Sequence, residues 1–231
     1  MTKKPQKPKI SENAKKAMDV SMEVVKNMTK EELCYIAENN PCVRGMITGY
    51  TSEYHLEKML RSIEGVTNLY KPDDHDRKKN KSDYILTYKG KTIRIQSKSI
   101  QTNSIREHGG IFSARVQNDA SDKHDIILPN GKKVKCTNYA YGGYDILAVC
   151  LVNFTNKMNF CFKLNSECRP CTNSRTISPE NSVYLMSTAE KITYPLSGEW
   201  TTDILDVMDR VEKTSVAFHT VQKTKQMIMN L

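Results

Sequence analysis

Residues 145–152, Asp-Ile-Leu-Ala-Val-Cys-Leu-Val, form an apolar run that follows Gly142-Gly143. Successive side chains of a strand point to opposite faces, so an unbroken apolar run reads as a strand covered on both sides. Met158–Leu164 is placed as its neighbour. A strand of this kind needs a sheet around it and layers on that sheet. The rest of the chain supplies both, in the order helices, strands, helices, so the class is α/β or α+β with one mixed central β-sheet flanked by helices.

The first helix is expected from about Glu12 to Met28, with Ala14, Ala17, Met18, Val20, Met22, Val24 and Val25 on a broad apolar face. Thr29-Lys30-Glu31-Glu32 reads as a capping box that starts a second helix, carrying Leu33, Ile36 and Ala37 and stopping before Asn39-Asn40-Pro41. A third is expected after Gly49, where Leu56, Met59, Leu60 and Ile63 recur at helical spacing and Gly65 ends the pattern. Pro129-Asn130-Gly131 joins two strands, His124–Leu128 and Lys132–Cys136. Ser178-Pro179-Glu180 opens a short helix, and Thr202–Val211 reads as another. The domain reading is a disordered basic tail at 1–10, a helical N-terminal segment at 11–45, the main domain at 46–213, and a tail or helix at 214–231.

Strands Asp83–Tyr88 and Lys91–Ser99 are joined by Lys89-Gly90. If these two residues are the whole turn, Tyr88 faces Lys91, Leu86 faces Ile93, Tyr84 faces Ile95 and Asp83 faces Gln96. Opposed residues share a sheet face with Cβ atoms roughly 5 Å apart. Lys98, two residues beyond Gln96, points the same way. One face therefore collects Asp83, Gln96 and Lys98, and the other sends Tyr84, Leu86, Ile93 and Ile95 to the core. A bulge would shift the register by one.

An acid, an amide and an ammonium on one face suit metal-assisted hydrolysis. Asp83, the Gln96 side-chain oxygen and the Ser97 backbone carbonyl are oxygen donors of the kind Mg²⁺ takes. Lys98 is placed to hold a water beside the metal. Glu53 lies on the apolar stripe of the third helix and is a candidate fourth member; the alternative is a first-turn acid that favours the helix dipole. Asp, a variable gap, then Gln, Glu or Asp followed by x-Lys arises by chance on the order of once in a chain of this size, so the weight rests on the register. The alternative for Gln96 and Lys98 is a solvated hairpin face.

Lysine and arginine outnumber aspartate and glutamate 35 to 26, a formal net charge of +9. That balance favours a polyanionic partner. Lys71, Arg77, Lys78, Lys79 and Lys81 precede the hairpin, and Asn103, Arg106 and Arg115 follow it; all are candidates for DNA contact, against ordinary surface positions. Asp119, Asp122 and Asp145 are further acids, with Asp145 expected as the structural partner of a backbone or arginine group. Seven cysteines, an odd number, argue against a disulfide framework. Cys168-Arg169-Pro170-Cys171 has the spacing of half a zinc site, but no second close pair completes it. No apolar run approaches the roughly 20 residues of a membrane span, and the N-terminus is not a secretory signal. The expectation is a soluble, cytoplasmic protein with no membrane partner. Neither a Ser/His/Asp or Cys/His arrangement nor a Gly-rich phosphate loop is present.

Asp83-x12-Gln96-x-Lys98 resembles the active-site pattern of the PD-(D/E)XK nuclease superfamily, with glutamine in the middle acidic position. The order matches too: a helix bearing an acid (Gly49-Tyr50-Thr51-Ser52-Glu53), then Asp on one strand and Gln-x-Lys on the next. Pro72-Asp73-Asp74-His75-Asp76-Arg77, Tyr88-Lys89-Gly90, Gln96-Ser97-Lys98-Ser99-Ile100-Gln101-Thr102, Asp119-Ala120-Ser121-Asp122, Leu128-Pro129-Asn130-Gly131 and Tyr144-Asp145-Ile146-Leu147-Ala148-Val149 look like a bacterial group of restriction-endonuclease-like proteins. The likeness covers roughly residues 40–200. Pro72-Asp73 also matches the family's "PD", but lies in a loop without a ladder partner, so Asp83 is preferred.

The resemblance implies a Mg²⁺-dependent type II restriction endonuclease (Mn²⁺ substituting) that cuts double-stranded DNA as a homodimer in a bacterial or archaeal cytoplasm. A cognate DNA methyltransferase would be its partner. Glutamine in place of an acid removes one charge from the metal site. The rival readings are a Holliday-junction resolvase or repair nuclease, and a DNA-binding protein that kept the fold and lost catalysis.

Overall fold

The structure, a computed structural model, describes residues 12–72, 82–172 and 177–211. The expected tails at 1–10 and 214–231, and Arg77, Lys78, Lys79 and Lys81, lie outside these residues, as do the side chains of Ala14, Ala17, Met18 and Val20. The chain divides into two compact units, residues 1–47 and 48–231. Helices α1 (Glu12–Asn27), α2 (Lys30–Asn39) and α3 (Pro41–Arg61) come first, and α3 runs across the division. Strands β1 (Val66–Tyr70), β2 (Tyr84–Tyr88), β3 (Lys91–Ser99), β4 (Arg106–His108), β5 (Ile111–Gln117), β6 (Asp119–Ile127), β7 (Lys133–Asn138) and β8 (Ile146–Cys150) follow. Then come α4 (Val152–Thr155), β9 (Phe160–Leu164), α5 (Pro179–Ser182) and β10 (Ala189–Tyr194). A last helix, α6, covers 204–211. Among the described residues no helix is long and apolar enough to cross a membrane.

The α2 start is a capping box. Glu32 N donates to Thr29 Oγ1 at 3.1 Å, and Thr29 N donates to Glu32 Oε2 at 2.7 Å. Such a cap is worth about 1 kcal/mol. α3 corrects the expected boundary. It starts at Pro41, with Gly45 and Gly49 inside it rather than before it. Glu53 is therefore a mid-helix residue, and the first-turn dipole explanation for it falls away.

The central sheet has the order β1-β2-β3-β8-β9. β3 and β8 run parallel, and the other pairs are antiparallel. It is a mixed sheet in an α+β chain, as expected. The hairpin register also agrees: Tyr84 pairs with Ile95, Leu86 with Ile93 and Tyr88 with Lys91. The turn achieves this with φ of +49° at Lys89 and +77° at Gly90. Positive φ at both central residues is the twist that two-residue hairpins prefer, and Gly90 adopts it without a Cβ clash. Lys89 holds the turn to α6 through Asp209, with Nζ–Oδ distances of 2.7 and 2.9 Å.

All five β8 residues are buried, and they divide between two cores. Ile146, Ala148 and Cys150 join Tyr84, Leu86, Ile93 and Ile95 beneath Leu56 and Leu60 of α3 and Val207 and Met208 of α6. Leu147 and Val149 face Ala114, Val116, Ile192, Met186 and Trp200. Helices thus cover one face of the sheet. A second, antiparallel sheet of order β10-β5-β4, absent from the sequence reading, covers the other. A third sheet is the β6–β7 hairpin. Cys168 packs in the second core and Cys171 in a third cluster with Ile126, Leu128 and Leu185.

Asp145 is a structural partner, and its arginine is Arg94. Arg94 Nε and Nη2 fork onto the two carboxylate oxygens at 3.0 and 2.8 Å, and Arg94 N donates to Oδ2 at 2.8 Å. Asp145 N returns a bond to Arg94 O at 2.8 Å. This clamp sits at the point where the parallel β3–β8 ladder begins and fixes its register. Asp145→Ala would leave the Arg94 main-chain N–H without an acceptor and the half-buried guanidinium with the Gly143 carbonyl, at 3.3 Å from Nη1, and no counter-charge. It is expected to cost about 1–3 kcal/mol, read as a lower urea midpoint. A change under about 0.5 kcal/mol, the usual size of a surface substitution, would show that the clamp does not hold the two strands together.

Candidate active site

The end of the β2–β3 hairpin away from its turn gathers the polar residues. Asp83 lies just before β2, opposite Gln96, as the register requires. Its Oδ2 accepts from Gln96 Nε2 at 2.6 Å and from Ser97 N at 2.7 Å. Gln96 and Lys98 pair with Leu147 and Val149 in the β8 ladder, so they point away from the α3 side of the sheet. Lys98 Nζ donates to the Asp119 carbonyl at 3.1 Å and sits 5.5 Å from the centre of the Tyr139 ring. Asp119 opens β6 and Tyr139 follows β7, so that hairpin forms the second wall.

Glu53 approaches from α3, on the opposite side of the sheet. Its main-chain carbonyl accepts from the buried Tyr84 hydroxyl at 2.8 Å, and its carboxylate pairs with Lys71 Nζ at 2.8 Å. No direct bond joins it to Asp83, Gln96 or Lys98, although its charge acts on Asp83.

Burial governs the electrostatics. It pushes Asp83 up to about 6, with the Glu53 charge adding to the rise; the Ser97 N–H, Lys98 and Lys71 oppose it. Burial likewise pushes Lys98 below the ordinary lysine range, against the pull of Asp83, Asp119 and Glu53. The Tyr139 hydroxyl is held well above the ordinary phenol value by burial, then by Asp83 and Asp119. An acid and an ammonium both drawn toward neutrality in one recess are a common mark of a functional site.

Two acceptors in this recess have no donor: Gln96 Oε1 and Asp119 Oδ1 are buried and unbonded. Buried oxygens without partners are costly. Among the described residues no three His, Cys, Asp or Glu side chains converge as a metal site. The donors here are of another kind: Asp83, the amide oxygen of Gln96 and Asp119, with the Ser97 carbonyl on the same strand edge as its N–H. An all-oxygen set of this kind fits a hard divalent cation.

Asn103 and Arg106 lie apart from the recess, joined to each other by Arg106 Nη1 donating to the Asn103 carbonyl at 3.1 Å. Arg115 stands on β5. The sequence reading does not include Tyr139 and offers Asp119 only as one of three further acids. No local pattern marks either, because a hairpin folded far along the chain brings them to Lys98.

Comparison with protein-family models and with curated proteins gives no match. Among solved structures, that of a bacterial homing endonuclease is similar over 61% of this chain and 87% of its own, with 15% identity and a TM-score of 0.33. At that TM-score the likeness is too slight to carry a functional assignment.

Proposed function

We propose that this chain is a Mg²⁺-dependent endodeoxyribonuclease that cuts double-stranded DNA at a specific sequence, in the manner of a type II restriction endonuclease. The observation that carries this reading is the hairpin register, which sets the Asp83 carboxylate against Gln96 with Lys98 two residues on. The unbonded Gln96 and Asp119 oxygens beside them support a cation site. The net charge of +9 suits a DNA partner.

Asp83, Gln96 and the Ser97 carbonyl would hold the metal, with Asp119 as a further oxygen donor. Bound Mg²⁺, or Mn²⁺ in its place, supplies Lewis acidity: it lowers the pKa of a coordinated water and offsets charge on the phosphate. Gln96 orients Asp83 through its N–H and leaves its own oxygen to face the site. A second carboxylate at that position would lie 2.6 Å from the first. Two acids so close cannot both ionise without a cation, so the amide keeps the metal-free recess tolerable. Lys98 is held by the Asp119 carbonyl and the Tyr139 ring, where its ammonium can steady a water or a phosphate oxygen. Two subunits would cut the two strands, so a homodimer is expected, with a methyltransferase protecting the host's own sites.

Incubation of the purified protein with unmethylated plasmid and Mg²⁺ tests the reading. Discrete fragments are expected. Cutting of four-way junctions alone would make the chain a resolvase. Retained DNA binding without cutting in either Mg²⁺ or Mn²⁺ would make it an inactive relative and overturn the catalytic reading.

A further inference from the structure

The sheet β10-β5-β4 carries a second basic surface. Ala114, Val116 and Ile192 point into the core, so alternate residues Ser113, Arg115, Lys191 and Thr193 lie on the outer face. A cleft of about 610 Å³ opens there, lined by Asn103, Arg106, Ser113, Arg115, Arg169 and Lys191 among others, with no carboxylate among the described residues of its wall.

Arg115 and Lys191 are directly opposed in the β5–β10 ladder. Like charges at opposed positions destabilise a sheet. Neither side chain makes a hydrogen bond or ion pair within the described residues. Arg106 Nη1 is held by the Asn103 and Ile105 carbonyls at 3.1 and 2.7 Å, and Arg169 Nη2 by the Ala189 carbonyl at 2.6 Å. Carbonyls orient these guanidinium groups without neutralising them. Glu190 is buried beneath and bonded to Lys163 at 2.6 Å, with Arg169 Nε at 3.9 Å. The sheet thus concentrates positive charge that folding alone does not require.

The recess and this face are joined by β3. Three residues past Lys98, Gln101 N donates to the Arg115 carbonyl at 2.9 Å, and Ile100 bridges to Val116. That is about 10 Å of extended chain, well under the roughly 34 Å of one duplex turn. Cations spread over three strands, about 10 Å across, match a run of phosphates better than a single small anion.

We propose that this face binds the sugar-phosphate backbone of double-stranded DNA, with Arg115 and Lys191 each contacting a phosphate and Arg106 and Arg169 flanking them. It holds the duplex while a neighbouring phosphodiester lies at Lys98. The inference rests on the DNA reading above but makes a separate claim about where the duplex is gripped.

The test is fluorescence anisotropy with a labelled 20-bp duplex in EDTA, titrated between about 50 and 200 mM salt, for the wild-type chain and for Arg115→Ala/Lys191→Ala. The double variant is expected to bind at least 10-fold more weakly at 100 mM salt. The slope of log affinity against log salt is expected to fall by about 1.8, or 0.9 per lost phosphate contact. Its melting temperature is expected to be equal or higher, because an opposed like-charge pair has gone. Unchanged affinity and slope in a variant whose parent binds and cuts DNA would overturn this inference and leave the nuclease reading standing. A wild-type chain that neither binds the duplex nor cuts plasmid would overturn both. Weaker binding accompanied by a lower melting temperature and an unchanged slope would mark the pair as structural and overturn the phosphate contacts.

Discussion

Lys98→Ala is expected to lower the rate of plasmid cleavage in Mg²⁺ by at least about 10²–10³-fold, the usual loss when one preorganised charge stabiliser is removed. Duplex affinity and melting temperature should change little. Burial already disfavours the Lys98 ammonium, so folding gains little from it; the removal leaves one carbonyl, that of Asp119, without this donor. The loss is therefore expected in kcat, with KM near the wild-type value, because the ammonium acts on charge that develops during reaction. Lys98→Arg should not restore activity. The planar guanidinium cannot reproduce the compact ammonium held by the Asp119 carbonyl and the Tyr139 ring, and it does not release a proton near neutral pH. Gel time courses of supercoiled, nicked and linear plasmid give the rate, and anisotropy in EDTA gives the affinity. A Lys98→Ala protein that cuts at the wild-type rate would remove Lys98 from the site.

The part of this site that could be read in advance is the part set by local geometry. A two-residue turn leaves one register, and period-two alternation does the rest, so Asp83, Gln96 and Lys98 were assigned one face from the sequence. Asp145 was legible as a structural acid because a buried carboxylate needs a partner. That the partner is Arg94 could not be read, since it depends on β3 and β8 lying side by side across about 50 residues of chain, as their 51-residue separation shows. The start of α3 was misplaced because Gly45 and Gly49 each cost a helix about 1 kcal/mol. The helix tolerates both, and Leu56 and Leu60 anchor it in the core. The outer sheet escaped notice for a different reason. β5 pairs with β10 more than 70 residues later, Arg115 against Lys191, and neither strand carries a strong apolar signal. Asp119 and Tyr139 share that difficulty: only the folded β6–β7 hairpin puts them beside Lys98.

Asp83→Asn is expected to abolish cleavage and, in the metal-free protein at pH 7.5, to raise stability. Asp83 provides the central charged donor of the proposed cation site, so its loss should cost more than 10³-fold in rate, beyond the loss of a single neutral hydrogen-bond donor. The stability gain follows from the rise to about 6 from an ordinary value of 3.8, caused first by burial. An acid with a raised folded pKa binds more protons when folded than when unfolded. Metal-free stability therefore falls as pH rises from about 4 through 6, and the full cost, about 2–3 kcal/mol at most, persists above that. Asparagine removes the charge and keeps an oxygen for the Ser97 N–H. In EDTA at pH 7.5 the variant should melt several degrees above the wild type, at about 2–4 °C per kcal/mol for a chain of this size. The advantage should shrink as pH falls through 6 and 4 and vanish near pH 3, below the ordinary value of 3.8, where the wild-type carboxyl is protonated in both states. Added Mg²⁺ should raise the wild-type melting temperature through binding to the folded state alone and leave the variant unmoved. A variant that melts below the wild type in EDTA at pH 7.5 would show that the Asp83 charge is stabilised by its surroundings without a cation. The case for a metal at this recess would then lose its energetic basis, because the recess is read as a place where burying a charge costs stability until a cation offsets it.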